Sequence, residues 1–233
     1  MILLANGCSF VYGEELEENI RNQRSFAGVI ANYFKFFEYH NISISGNSNY
    51  KILIDTMTWI SKNIHLKDEL FVLIGWTAPH RYYEINKNGK EYFLVTGDQK
   101  SEFNQTKIKK YPSILKKIPI VKEYIKYGLM DDLPCYKSTI GYIIGLQSFL
   151  KKYNIKYFMC ESIIPIVSYQ FQQNETQSLI DLQYYYYKSN FREYCLSNGI
   201  TFTKDWNHPL EDGHELWANH LIQQIKERNY SFL

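Results

Sequence analysis

The chain is poor in the features that most readily assign a role. Its formal charge is only +2, from 26 basic and 24 acidic residues, too small an excess to mark a surface for nucleic acid or an anionic membrane. The four cysteines, Cys8, Cys135, Cys160 and Cys195, lie far apart and form no C-x-x-C pair. That excludes the spacing of a zinc or dithiol centre and favours buried free thiols in a reducing compartment over a disulfide framework. No apolar run approaches the ~18 residues of a membrane helix. Met1 to Ala5 has no basic segment and reaches Asn6 too early for a signal-peptide core. The expectation is a soluble, cytoplasmic protein. Only six prolines and 12 glycines occur, and no internal repeat or low-complexity linker appears.

What is present suits one well-buried core. The 233 residues are 45% hydrophobic, which is read as a single domain, 1–233. Aromatic residues reach 17%, with 21 tyrosines, but Lys, Ile, Asn and Tyr are abundant throughout, so this reads as compositional bias before it reads as a stacking surface.

Short apolar runs predict strands at Ile2 to Ala5, Phe36 to Ser45, Leu70 to Gly75, Lys156 to Cys160 and, more weakly, Ile200 to Thr203. Helical spacing predicts helices over Gln23 to Tyr33, Asn49 to Ile64, Ser138 to Tyr153, Ser178 to Ser197 and Gly213 to Arg228, with Gly199 as the stop after the fourth. The run Tyr184 to Tyr187 falls in that fourth helix. Such alternation indicates a doubly wound parallel sheet with helices on both faces, a three-layer α/β/α architecture. From about 78 to 133 the rhythm breaks. Arg81 to Ile85 and Glu91 to Val95 flank Asn88-Gly89, the signature of a hairpin. The Lys-rich stretch Lys107 to Met130, with Pro112 and Pro119, reads as short helices completing an insertion.

Two segments carry chemistry. Gly7-Cys8-Ser9-Phe10 directly follows the first strand, which puts Ser9 at the C-terminal edge of the sheet, where open α/β folds place ligands. Asp205-Trp206-Asn207-His208-Pro209 pairs an acid and an imidazole three residues apart, close enough for the carboxylate to orient the ring while the ring takes a proton from a hydroxyl. Each segment alone has a plainer reading, as a turn or helix cap for Ser9 and a solvated pair for Asp205 and His208. A phosphate loop is excluded, because no Gly-Lys-Ser/Thr follows and Glu14 and Glu15 would repel an anion. A metal site at His208, His214 and His220 is also disfavoured. The last two stand six residues apart, ~600° of helical rotation, which leaves them on different faces. His214 is read as a surface or capping residue, and Cys8 as pointing into the core, away from Ser9.

In order and content these segments resemble the SGNH (GDSL-type) hydrolase family, whose members carry four short blocks on a flavodoxin-like α/β/α fold. The resemblance implies Ser9 as nucleophile and oxyanion-hole donor, Gly46 in the second block (Asn41 to Ser48) as a second backbone donor, His208 as general base and Asp205 as its partner. The third block, Ile74-Gly75-Trp76-Thr77, departs from the family pattern by placing Thr77 where an Asn is usual. Loss of one oxyanion donor costs ~3 kcal/mol of transition-state stabilisation. The Thr77 hydroxyl, Asn47, Asn49 or Arg81 are the candidates to replace it. Asn47, Asn49, Trp76 and Arg81 are also read as substrate contacts. The implied activity is cofactor-free, metal-free ester hydrolysis of a small-molecule or glycan ester, with a lean toward carbohydrate O-acyl groups from the aromatic start of the insertion. A non-catalytic binding or structural protein that keeps the fold is the alternative, motivated by Thr77.

Overall fold

The computed structural model describes residues 1–85, 91–95, 132–167, 178–203, 208–228 and 230. The expected turn Asn88-Gly89, the segment Lys107 to Met130 and Asp205 lie outside the described residues.

Five parallel strands form the central sheet in the order β2-β1-β3-β6-β7. They are β1 (Ile2–Gly7), β2 (Glu38–Asn41), β3 (Leu70–Trp76), β6 (Lys156–Glu161) and the short β7 (Tyr185–Tyr186). Every residue of β1 and β3 is buried, as a strand covered on both faces requires. Alternate side chains enter two separate cores. Leu3, Ala5, Phe71, Leu73 and Phe158 pack with α3 (Phe26–Tyr33) and α7 (Glu211–Glu227) through Phe26, Ile30, Trp217, Leu221 and Ile225. Ile2, Leu4, Val72 and Ile74 pack with α4 (Asn49–Lys62) and α5 (Asp132–Lys152) through Ile52, Ile60, Ile140, Ile143 and Leu146. The three-layer α/β/α arrangement is therefore the one expected. Strands β4 (Arg81–Ile85) and β5 (Glu91–Val95) pair antiparallel, Arg81 opposite Val95, as a separate hairpin between β3 and α5.

Several local expectations need correction. The helix expected over Gln23 to Tyr33 is two, α2 (Glu18–Arg24) and α3, broken at Ser25, whose hydroxyl caps α3 by accepting from Gly28 N–H. The strand expected over Phe36 to Ser45 is only β2. The tyrosine run is not helical: a 3-10 turn at Leu182–Tyr184 leads into β7, and helix α6 covers only Phe191–Ser197. Tyr is a good strand former, and the free edge of β6 offers a row of backbone partners that a helix would leave unused. Ile200 to Thr203 adds no strand to the sheet. Instead Phe202 bridges Pro209 antiparallel. Among the described residues, no helix is long and apolar enough to cross a membrane.

Candidate active site

The site is built at the C-terminal edge of β1. Gly7 and Gly75 are in register there, and Val11 of the short helix α1 (Ser9–Tyr12) sits over both. A Cβ on Gly7 would lie 2.2 Å from Val11 Cγ2, and one on Gly75 would lie 2.4 Å from the same atom. The two glycines thus let α1 settle onto the strand ends. Gly13, at φ 80°, ends α1, and its N–H donates to the Ser9 carbonyl.

Side-chain amides brace this edge from behind. Asn6, fully buried, accepts from Gly7 N–H at 2.8 Å and donates to Ile52 O and Thr56 Oγ1 on α4. The second-block loop is tied to the first block, since Asn47 Nδ2 donates to Gly7 O at 3.1 Å and Asn41 Nδ2 donates to Val11 O at 3.0 Å. Gly46 occupies the left-handed region at φ 78° in that loop, a backbone that glycine adopts without strain.

Ser9 is 3% exposed, and its Oγ lies 2.9 Å from His208 Nε2. His208 is fixed by its own short antiparallel contact. Its carbonyl accepts from Thr203 N–H at 3.0 Å, its N–H donates to Thr203 Oγ1, and Pro209 bridges Phe202. Gly213 at the start of α7 brings the helix against Pro209, since a Cβ there would stand 2.5 Å from Pro209 Cβ. Phe10 presents its ring to the imidazole edge-on at 5.3 Å. Cys8 faces the core and is fully buried, as expected.

His214 is not a surface residue. It is fully buried, and its Nδ1 accepts from Phe26 N–H at 3.2 Å. Burial, and secondarily the nearby charge of His208, lower its pKa to about 3, so the ring is neutral. At the end of β6, Glu161 accepts from Val167 N–H and Tyr185 Oη–H. Burial pushes its pKa up to about 8 against those hydrogen bonds.

Three residues expected at the substrate are committed elsewhere. Trp76 is fully buried, with its indole N–H donated to Met159 Sδ, because it belongs to a strand covered on both faces. Asn47 is spent on Gly7 O and Ser48 N–H. Asn49 clamps Thr77 from both sides, accepting from its N–H at 2.8 Å and donating to its carbonyl at 2.9 Å, with a further bond to Thr139. Thr77 itself is buried, and its hydroxyl has no hydrogen-bond partner among the described residues. Arg81 is partly exposed, with Nη1 buried and unpartnered among the described residues.

Sequence reasoning missed Asn6, the Gly7–Val11–Gly75 contact and Glu15, whose Oε1 is 3.7 Å from His208 Nδ1. The glycines ending two apolar runs were the available signal for the second. The neighbours of Glu15 are set only by the fold.

The sequence matches no protein-family model and no curated protein. The structure is similar to the psychrotrophic esterase EstA from Pseudoalteromonas sp., with a TM-score of 0.50 and 12% identity over 97% of each chain. TesA follows at a TM-score of 0.49 and 9% identity over the whole of both chains. A GDSL-like lipase from Bacteroides thetaiotaomicron gives 0.43 and 14%, over 97% of this chain and 88% of that one. At such identities the likeness is one of fold: this chain shares the fold of the esterase EstA.

Proposed function

We propose that the protein is a serine-dependent ester hydrolase working through an acyl-enzyme, in a single domain with the insertion at about 78–133. The observation that most supports this reading is the 2.9 Å approach of Ser9 Oγ to His208 Nε2, two groups 199 residues apart. That is the contact a nucleophile and its general base require. In this reading Ser9 Oγ bonds to the acyl carbon as its proton passes to His208 Nε2. The tetrahedral oxyanion is held by the backbone N–H groups of Ser9 and Gly46, with the Thr77 hydroxyl in the third place. The imidazolium returns the proton to the leaving alcohol, and water repeats the sequence on the acyl-enzyme. Asp205 is assigned the orienting carboxylate, and Arg81 a polar contact to substrate. The proposed substrate is a small-molecule or glycan ester, with carbohydrate O-acetyl or other O-acyl groups preferred. The esterase of known structure to which this fold is similar is in keeping with ester chemistry.

A fluorophosphonate probe tests the proposal. An activated Ser9 is labelled in the wild type and not in Ser9→Ala, and absence of labelling at Ser9 would return the chain to a non-catalytic binding role.

A further inference from the structure

Glu15 stands in a backbone conformation that favours glycine, at φ 71°. Side-chain-bearing residues held there cluster at functional sites, where the surrounding structure enforces them. The enforcement here is Arg21 of α2. Its Nε donates to Gly13 O at 3.2 Å, Nη1 to Tyr12 Oη at 2.7 Å and Nη2 to Leu16 O at 3.0 Å, while Leu16 is buried as an anchor. The guanidinium therefore clips the loop on both sides of Glu15 through neutral oxygens. The Glu15 carboxylate then faces His208, with Oε1 at 3.7 Å from Nδ1 and side-chain exposures of 27% and 11%. Nδ1 is the ring nitrogen opposite the one that meets Ser9 Oγ.

We propose that Glu15 is a positioning residue of the hydrolytic site, its carboxylate set beside Nδ1 to keep Nε2 toward Ser9 and to stabilise the imidazolium formed when Ser9 gives up its proton. The inference rests on the serine-hydrolase reading and deepens it: the family resemblance supplies an acid from the C-terminal block, Asp205, whereas Glu15 comes from the loop after the nucleophile. At 3.7 Å the group acts through its charge and not through a direct hydrogen bond. A negative charge beside a partly buried ring favours the protonated form, which is the form the transition state develops. His214 also reaches the ring electrostatically, from α7, but is held neutral by burial. Phe10 meets the ring edge-on and is apolar.

The test is Glu15→Gln, an isosteric change, read in two ways on the full chain. The first is the NMR titration of the His208 ring, assigned by comparison with His208→Gln. The second is the pH profile of kcat/KM for p-nitrophenyl acetate, with Glu15→Asp as the conservative variant. Removing the carboxylate lowers the His208 pKa by about one unit. The acidic limb of the profile moves to lower pH by the same amount, because the base stays neutral further into acid. One unit of imidazolium stabilisation corresponds to a fall in kcat of up to roughly tenfold. KM stays within about twofold, since the group does not bind substrate, and Glu15→Asp lies between. A merely structural role would lower the plateau without moving the limb, and that result overturns the proposal. An unmoved His208 titration in a protein whose hydrolysis depends on Ser9 also overturns it. A shifted titration in a wild type that neither hydrolyses the ester nor takes the probe removes the hydrolase reading, and the catalytic part of this one with it, while leaving the Glu15–His208 coupling standing.

Discussion

Gly7 and Gly75 face each other across the parallel pair β1–β3, and the space either Cβ would need is filled by Val11. The turn that carries Ser9 is thus seated by an absence of side chains on two strands, not by a bond to Ser9 itself. Because Val11 is fully buried and branched at Cβ, it has little room to yield.

Gly75→Ala is therefore expected to destabilise the fold by about 1–3 kcal/mol, the usual cost of overpacking. It should also weaken fluorophosphonate labelling, because relief of the clash lifts α1. Val11→Ala in the same chain removes the nearest contact and should recover part of the loss. Denaturant midpoints of the two single variants and the double variant measure the coupling.

If Ser9 and His208 act as one unit, their losses do not add. Ser9→Ala and His208→Ala should each reduce kcat for an acyl ester by roughly a thousandfold or more, and the double variant should be no slower than the worse single one. Rates that multiply would mean that the two groups work separately.

Asn49 satisfies both backbone groups of Thr77 in a site closed to water. Asn49→Ala leaves them buried without that partner, at a cost of about 1–3 kcal/mol. Asn49→Asp keeps the acceptor for Thr77 N–H but loses the donor to its carbonyl. Urea unfolding should therefore rank wild type above both variants.

Two buried groups set opposing pH dependences. The Glu161 pKa is raised to about 8, so between its unfolded value near 4.5 and 8 the unfolded chain releases a proton that the folded chain keeps. Stability therefore falls as pH rises through that window. The His214 pKa is lowered to about 3, so between 6.5 and 3 the unfolded chain gains a proton that the folded chain refuses. Stability then falls as pH drops. The two effects oppose each other between about pH 4.5 and 6.5. Urea midpoints should decline above pH 6.5 in the wild type, and this decline should be flatter in Glu161→Gln.

Much of the architecture was legible from local periodicity. The buried runs of β1 and β3, the amphipathic helices α4 and α7 and the hairpin strands Arg81–Ile85 and Glu91–Val95 all occur where spacing places them. Each is specified by neighbours a few residues away. The tyrosine run misled because four aromatic residues in a row satisfy helical and extended patterns alike. Only the vacant edge of β6, where Tyr185 also reaches Glu161, selects the strand.

The order of residues along the chain determined the alternation of strands and helices, and hence that Ser9 and the second-block loop emerge at one sheet edge, because hydrophobic period and parallel connectivity are local and directional properties. Tertiary structure decided which side chains remained available there. Asn47, Asn49 and Trp76 were drawn into buried hydrogen bonds, since unpaired polar groups in a core are costly. The Ser9–His208 approach and the carboxylate of Glu15 beside the ring arise from packing α1, α7 and the Thr203–His208 contact together. These are distances between segments far apart in the chain, and no short-range pattern encodes them.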